Sequence, residues 1–212
     1  MGTIKKGILG GFSGKVGTVV GASWKGISYM RSLPLKVKNP RTEPQMNQRT
    51  KFAVTLKFLK PMTGLLRTGW KMYAYKKSPF NAAMSYTIDN AITGAYPNYS
   101  IDPSKVLISR GPLAPATNVV ASPISGTINL EWDDTGSSSF IKQTDKTLLA
   151  VLNPSKSQAV FDIAGEERSE LTQSISLPAD WVGNTVVVYL GFISEDGKEV
   201  ANSVYAGSVT VV

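Results

Sequence analysis

The spacing of apolar positions changes character along this chain, and the change predicts its elements. Between 42 and 94 apolar residues recur at helical intervals. Thr42-Glu43-Pro44-Gln45 forms a capping-box pattern with proline in the first turn, and predicts a helix that runs to Pro61. Phe52, Leu56 and Leu59 fall on one stripe of it and Val54 with Phe58 on a second, so the helix is expected to be contacted from two directions. A second helix places Met62, Leu65, Leu66, Trp70 and Tyr73 on one face, opposite Arg67 and Lys71. A third is expected from Ser78-Pro79 to Gly94, with Phe80, Ala83, Met84, Ile88 and Ala91 turned inward.

From 116 onward the period falls to two. Strands are expected over 116–122, 127–132, 146–152, 159–163, 171–176, 185–193 and 204–211, with turn residues between them, as in an antiparallel β-sandwich. The beginning of the chain follows neither pattern. Eight of the 19 glycines lie in the first 26 residues, and 16–22 and 27–33 read as a β-hairpin about Ser23-Trp24-Lys25-Gly26. The predicted fold class is α+β: an N-terminal β-hairpin with a small helical cluster, then the sandwich.

Charge sharpens this division. Residues 1–110 carry 18 Lys/Arg against Glu43, Asp89 and Asp102, whereas residues 111–212 carry five Lys/Arg against 12 acids. The change coincides with Gly111-Pro112-Leu113-Ala114-Pro115, where two prolines stiffen the chain. Two domains are therefore expected, a basic one over 1–110 and an acidic one over 111–212.

Composition removes much chemistry. With no cysteine and no histidine, the chain has no disulfide, Cys/His zinc site, thiol nucleophile or imidazole base. Gly10-Gly11-Phe12-Ser13-Gly14-Lys15-Val16 fails as a phosphate-binding loop, since Leu9 stands where a glycine is needed and Val16 where a hydroxyl would hold magnesium. Glu131, Asp133, Asp134, Asp145, Asp162, Glu166, Glu167 and Glu170 read as solvated loop charges. Asp133-Asp134 and Glu195-Asp196 lack the alternating oxygen pattern of a dedicated calcium loop. No catalytic residue, metal site, cofactor or small-molecule substrate is expected. The apolar patch 8–12 is too short for an export signal, and no run reaches the roughly 20 residues of a membrane span. A cytoplasmic or virion location follows, away from membranes.

The anomaly is residues 1–77, with 16 Lys/Arg and a single acid. A one-signed surface repels itself and faces an acidic protein surface or a polyanion. The candidate contacts are Lys5, Lys6, Lys15, Lys25, Arg31, Lys36, Lys38, Arg41, Arg49, Lys57 and Lys60. Trp24, Tyr29, Trp70, Tyr73 and Tyr75 are interleaved with the cations, as a single-strand stacking platform requires, although helical spacing assigns Trp70 and Tyr73 to a core.

Three resemblances bear on these residues. Trp132, Tyr189 with Phe192, and the Glu195-Asp196-Gly197-Lys198 turn resemble the fibronectin type III and immunoglobulin-like pattern over residues 113–212. The segment 10–21 (GGFSGKVGTVVG), Trp24-Lys25-Gly26, Arg31-Ser32-Leu33-Pro34, Asn39-Pro40-Arg41-Thr42, Gln45, Gln48-Arg49 and Lys51-Phe52-Ala53 resemble a family of uncharacterised proteins in Bacteroidota, which implies an architecture and no activity. The Gly-Lys-Val-Gly hairpin before Asn-Pro-Arg-Thr is also similar to a segment in small phage and prophage virion-associated proteins. The expected function is accordingly a non-enzymatic structural protein of a phage-like virion or other self-assembling particle or filament, docking by its basic part to an acidic partner surface, including another copy. The alternatives are a nucleic-acid-binding protein, with Lys36, Lys38, Arg41, Arg49, Lys57 and Lys60 on phosphates, and a sugar-binding module using Trp181 or Trp24.

Overall fold

A computed structural model describes residues 2–4, 7, 10–24, 26–36, 39, 41–133 and 141–212. The chain forms two compact units, Met1–Thr42 and Glu43–Val212.

The first unit is an antiparallel meander of β1 (Thr3–Ile4), β2 (Phe12–Val16), β3 (Val19–Trp24) and β4 (Ile27–Ser32), in that order across the sheet. The expected strand over 16–22 is divided, because Gly17 takes a left-handed turn and separates β2 from β3. Gly21 is the only buried residue among those described in this unit. The Phe12 ring lies over Gly21, and a Cβ there would sit 2.5 Å from the ring's Cδ2.

The second unit begins with α1 (Glu43–Leu59), α2 (Thr63–Gly69) and α3 (Pro79–Asn90). Thr55 and Leu59 are buried on α1, Val54, Leu56 and Phe58 are half-buried, and Phe52 is exposed. Both expected stripes are thus at least partly covered, the helix meeting α3 and also Tyr99, whose hydroxyl donates to Asn47 Oδ1 at 2.8 Å, and of the expected positions only Phe52 lies in solvent. Met62, Leu65, Leu66 and Trp70 are buried as the periodicity predicts, but Tyr73 is only partly covered. Ser78 caps α3 by accepting from the Asn81 N–H at 3.2 Å. That helix ends at Asn90 rather than Gly94. Residues 92–101 instead form a hairpin, β5 (Ile92–Ala95) and β6 (Asn98–Ile101), with Gly94 in the left-handed region inside β5.

Seven strands follow: β7 (Thr117–Ile124), β8 (Thr127–Asp133), β9 (Lys146–Asn153), β10 (Gln158–Asp162), β11 (Thr172–Ser176), β12 (Thr185–Ile193) and β13 (Val204–Thr210). They build a three-stranded sheet β11-β8-β7 and a four-stranded sheet β10-β9-β12-β13, an immunoglobulin/fibronectin III-like antiparallel sandwich. Between the sheets lie Ile128, Leu130, Trp132, Leu149, Val151, Val188, Leu190 and Phe192.

The other face of the four-stranded sheet is covered as well. Ala150, Leu152, Val187 and Tyr189 pack with Leu59, Met62, Leu66, Trp70 and Ala83 from the helical segment. This is why β9 and β12 read as nearly continuous apolar runs, Leu148–Leu152 and Val186–Leu190, rather than alternating. The unit has three layers, helices on sheet on sheet.

The charge boundary at 110/111 thus falls inside this unit, and the compact division lies at Thr42/Glu43. Residues 106–113 form an internal strap instead of a stiff linker. The Arg110 N–H donates to the Gly69 carbonyl at 3.0 Å and Trp70 Nε1 donates to the Leu107 carbonyl at 3.2 Å. On the other side Ser203 Oγ accepts from the Ile108 N–H at 2.9 Å, and Ser109 Oγ donates to the Ala201 carbonyl at 2.8 Å. The strap fits because Gly191 leaves room for it: a Cβ there would lie 2.5 Å from Ser109 Oγ.

Two outcomes follow from this packing. Gly191→Ala drives a methyl against the strap and lowers unfolding stability by about 1–3 kcal/mol, read as a reduced urea midpoint; an unchanged midpoint contradicts the close approach. Residues 43–212 alone fold and unfold cooperatively, whereas 111–212 alone expose Ala150, Leu152, Val187 and Tyr189 and aggregate. A soluble, cooperatively unfolding 111–212 fragment contradicts the shared core.

Candidate functional site

Strand register sorts the side chains of the first unit onto two faces, because directly paired residues point the same way. Lys15, Val20 and Arg31 form one row across β2, β3 and β4. Ala22 with Tyr29, and Trp24 with Ile27, continue the same face. Trp24 and Ile27 are 65% and 69% exposed. The opposite face carries Val16 beside Val19, and Gly14 beside Gly21 and Met30. Lys15 and Arg31, the two charged residues described in these strands, share the first face, leaving the second uncharged. The sheet is thus basic and aromatic on one side and uncharged on the other, where Ser23 pairs with Ser28 and Ser32 with Val19.

The predicted contact residues divide between the units. Lys15 and Arg31 are brought together through Val20, and Lys36 and Arg41 are exposed between β4 and α1. Arg49, Lys57 and Lys60 are exposed in the second unit. Lys5, Lys6, Lys25 and Lys38 lie outside the described residues. Among the interleaved aromatics, Trp24, Tyr29 and Tyr75 are exposed, but Trp70 is core and packs against Tyr73 and Tyr86 at 5.9 and 5.4 Å. Arg110 lies over both tyrosine rings, at 4.6 and 5.5 Å.

Trp181 is buried to 1% exposure, and its Nε1 donates to Gln158 Oε1 at 3.2 Å. It closes the sandwich and offers no surface to a sugar. Lys57 stands beside an open groove of about 480 Å³, lined by Val54, Phe58, Ile101, Pro103, Leu152 and Pro154. The groove is apolar, with no convergent set of polar groups to fix a ligand's orientation.

The acids also separate by environment. Asp145 is fully buried with Arg168, Oδ2 to Nε 3.7 Å, so it is no loop charge. Burial raises the Asp145 carboxyl above its ordinary range, against the opposing pull of the Lys142 N–H and the Arg168 guanidinium. Arg168 also lies over the Phe192 ring at 3.7 Å and donates to the Ala114 carbonyl at 2.7 Å. Its many ties inside the sandwich make this pair a structural clamp.

Glu131, Asp133 and Glu170 are different. They are exposed around a groove of about 570 Å³ on the three-stranded sheet, whose lining also holds Val120 and Leu171 and, among the described residues, no Lys or Arg. Val120, Glu131 and Thr172 form one row across β7, β8 and β11. Leu171 holds a left-handed backbone, φ 58°, and its side chain is exposed. The sequence held a signal for this patch, since Ile128, Leu130 and Trp132 alternate with Asn129, Glu131 and Asp133 along β8 and so turn the acids outward. Among the described residues, no group of three or more acids is placed to hold a metal ion, and no helix is long and apolar enough to cross a membrane.

The chain is similar to a crystal structure of the chicken CNTN1 FN1–FN3 domains, at 12% identity and a TM-score of 0.31, over 54% of this chain and 35% of that one. It therefore spans about a third of that structure's length. No curated protein matches it. The model of DUF6266, a family of unknown function, matches residues 11–207, and the chain belongs to that family.

Proposed function

We propose that this chain is a non-enzymatic structural component of a self-assembling particle or filament, a phage-like virion among them, and that the first unit is its docking element. The observation that carries the reading is a four-stranded sheet without a core. Ile4, Val16, Val19, Trp24, Ile27, Tyr29, Met30 and Leu33 are all exposed, while Gly21 alone among the described residues of the unit is buried. A sheet needs one face packed against another layer to be stable in water. Covering what remains exposed of such a side chain contributes up to about 1.5–3 kcal/mol, and exposed apolar side chains on both faces leave each face open to a partner.

Charge supports docking in the same unit. Residues 1–42 carry eight Lys/Arg and no acid, so their cations have no carboxylate within the unit to pair with. Complementary potential speeds association and fixes orientation. The second unit has the opposite construction, a continuous core in three layers.

Light scattering across a sizing column tests this reading. The predicted result at high micromolar concentration is a mass that is a multiple of the 22.8 kDa monomer and falls on dilution. A monomer at every concentration, with no stable complex when purified from its native source, contradicts it.

A further inference from the structure

We infer that the basic and aromatic face of the first unit docks on the acidic groove of the three-stranded sheet of a second copy of this chain. The inference rests on the assembly reading and names the partner of its docking element. Lys15 and Arg31 flank Val20, two strand spacings apart, roughly 10 Å at 4.8 Å per strand. In the groove an acid takes the central place, since Glu131 stands between Val120 and Thr172 across the strands, and Asp133, Glu170 and Leu171 share the lining. A row of two cations about Val20 therefore meets a surface lined by three carboxylates and the exposed Val120 and Leu171, so that charged and apolar groups are both matched in one contact.

The chemistry of the face favours protein over nucleic acid. Trp24 is paired across the strands with Ile27, and Val20 and Ala22 fill the rows toward the cations. Aliphatic rows need a partner that excludes water, which Val120 and Leu171 supply and a phosphate backbone does not. The groove in turn suits a cationic partner, because three carboxylates line it and, among the described residues, no cation does. Val120 is 55% exposed and Leu171 presents its side chain from a left-handed backbone, a conformation costing about 1–2 kcal/mol for a residue with a Cβ.

Each copy carries one face of each kind, so the contact is heterologous. It repeats head to tail, giving a ring where the rotation closes and a filament where it does not.

Paired charge reversals on the full chain test the contact. Lys15→Glu with Arg31→Glu, and separately Glu131→Lys with Glu170→Lys, each weaken self-association at least tenfold by light scattering. An equimolar mixture of the two doubly substituted proteins recovers it, since each reversed face then meets an oppositely charged one. Recovery on mixing also shows that both variants are folded. If wild type assembles but Glu131→Lys with Glu170→Lys assembles equally well, the docking contact is wrong while the assembly reading stands. A mixture that stays monomeric when both variants keep the wild-type thermal midpoint overturns the contact as well. A wild type that is monomeric at all concentrations overturns both. Association abolished by nuclease, with 260 nm absorbance in the assembled peak, makes nucleic acid the occupant and overturns the inference.

Discussion

Burial of β9 and β12 on both faces is the constraint from which the second unit follows. A strand in a two-layer sandwich needs apolar residues at every other position only, yet Leu149 and Val151 face one core while Ala150 and Leu152 face the other. The outer face would be an exposed apolar sheet without the helices. The helices are equally dependent, because α2 spans seven residues and is too short to persist without tertiary contacts. Folding of 43–110 and 111–212 is therefore one event, and the strap at 106–113 lies between the parts it joins.

The first unit obeys the opposite logic. Its glycines and short strands allow close approach, with Phe12 over Gly21, but they supply few side chains with which to make a core. Under the proposed function, a partner surface supplies the cover that the described residues of the unit do not give one another. Concentrating all eight cations of residues 1–42 away from any acid keeps such a unit soluble and discourages like faces from stacking on each other.

Much of this was legible in the sequence, and the exceptions have physical causes. The seven sandwich strands emerge from apolar patterning and the turn residues between them, to within two residues at every end. Trp70 was correctly assigned to a core by its spacing from Leu66. Net charge sets the expected boundary at 110/111 because it reports on surfaces, whereas the continuous runs in β9 and β12 report on layers and point to a second covering face. Gly94 suggested a helix stop, yet it lies within β5, since helix and hairpin ends both use left-handed glycine. The clustering of Glu131, Asp133 and Glu170 depends on strands β8 and β11 being neighbours, a fact of topology that spacing along the chain does not contain. Lys15 and Arg31 required register in the same way.

The central claim is that the first unit acquires its stability only by being covered, and amide hydrogen exchange as a function of protein concentration tests it most directly. The account predicts that amides of residues 19–32 exchange fast in dilute protein and slow progressively as concentration rises, while those of β12 stay protected throughout. Protection of residues 19–32 in the dilute monomer equal to that of β12 would contradict it.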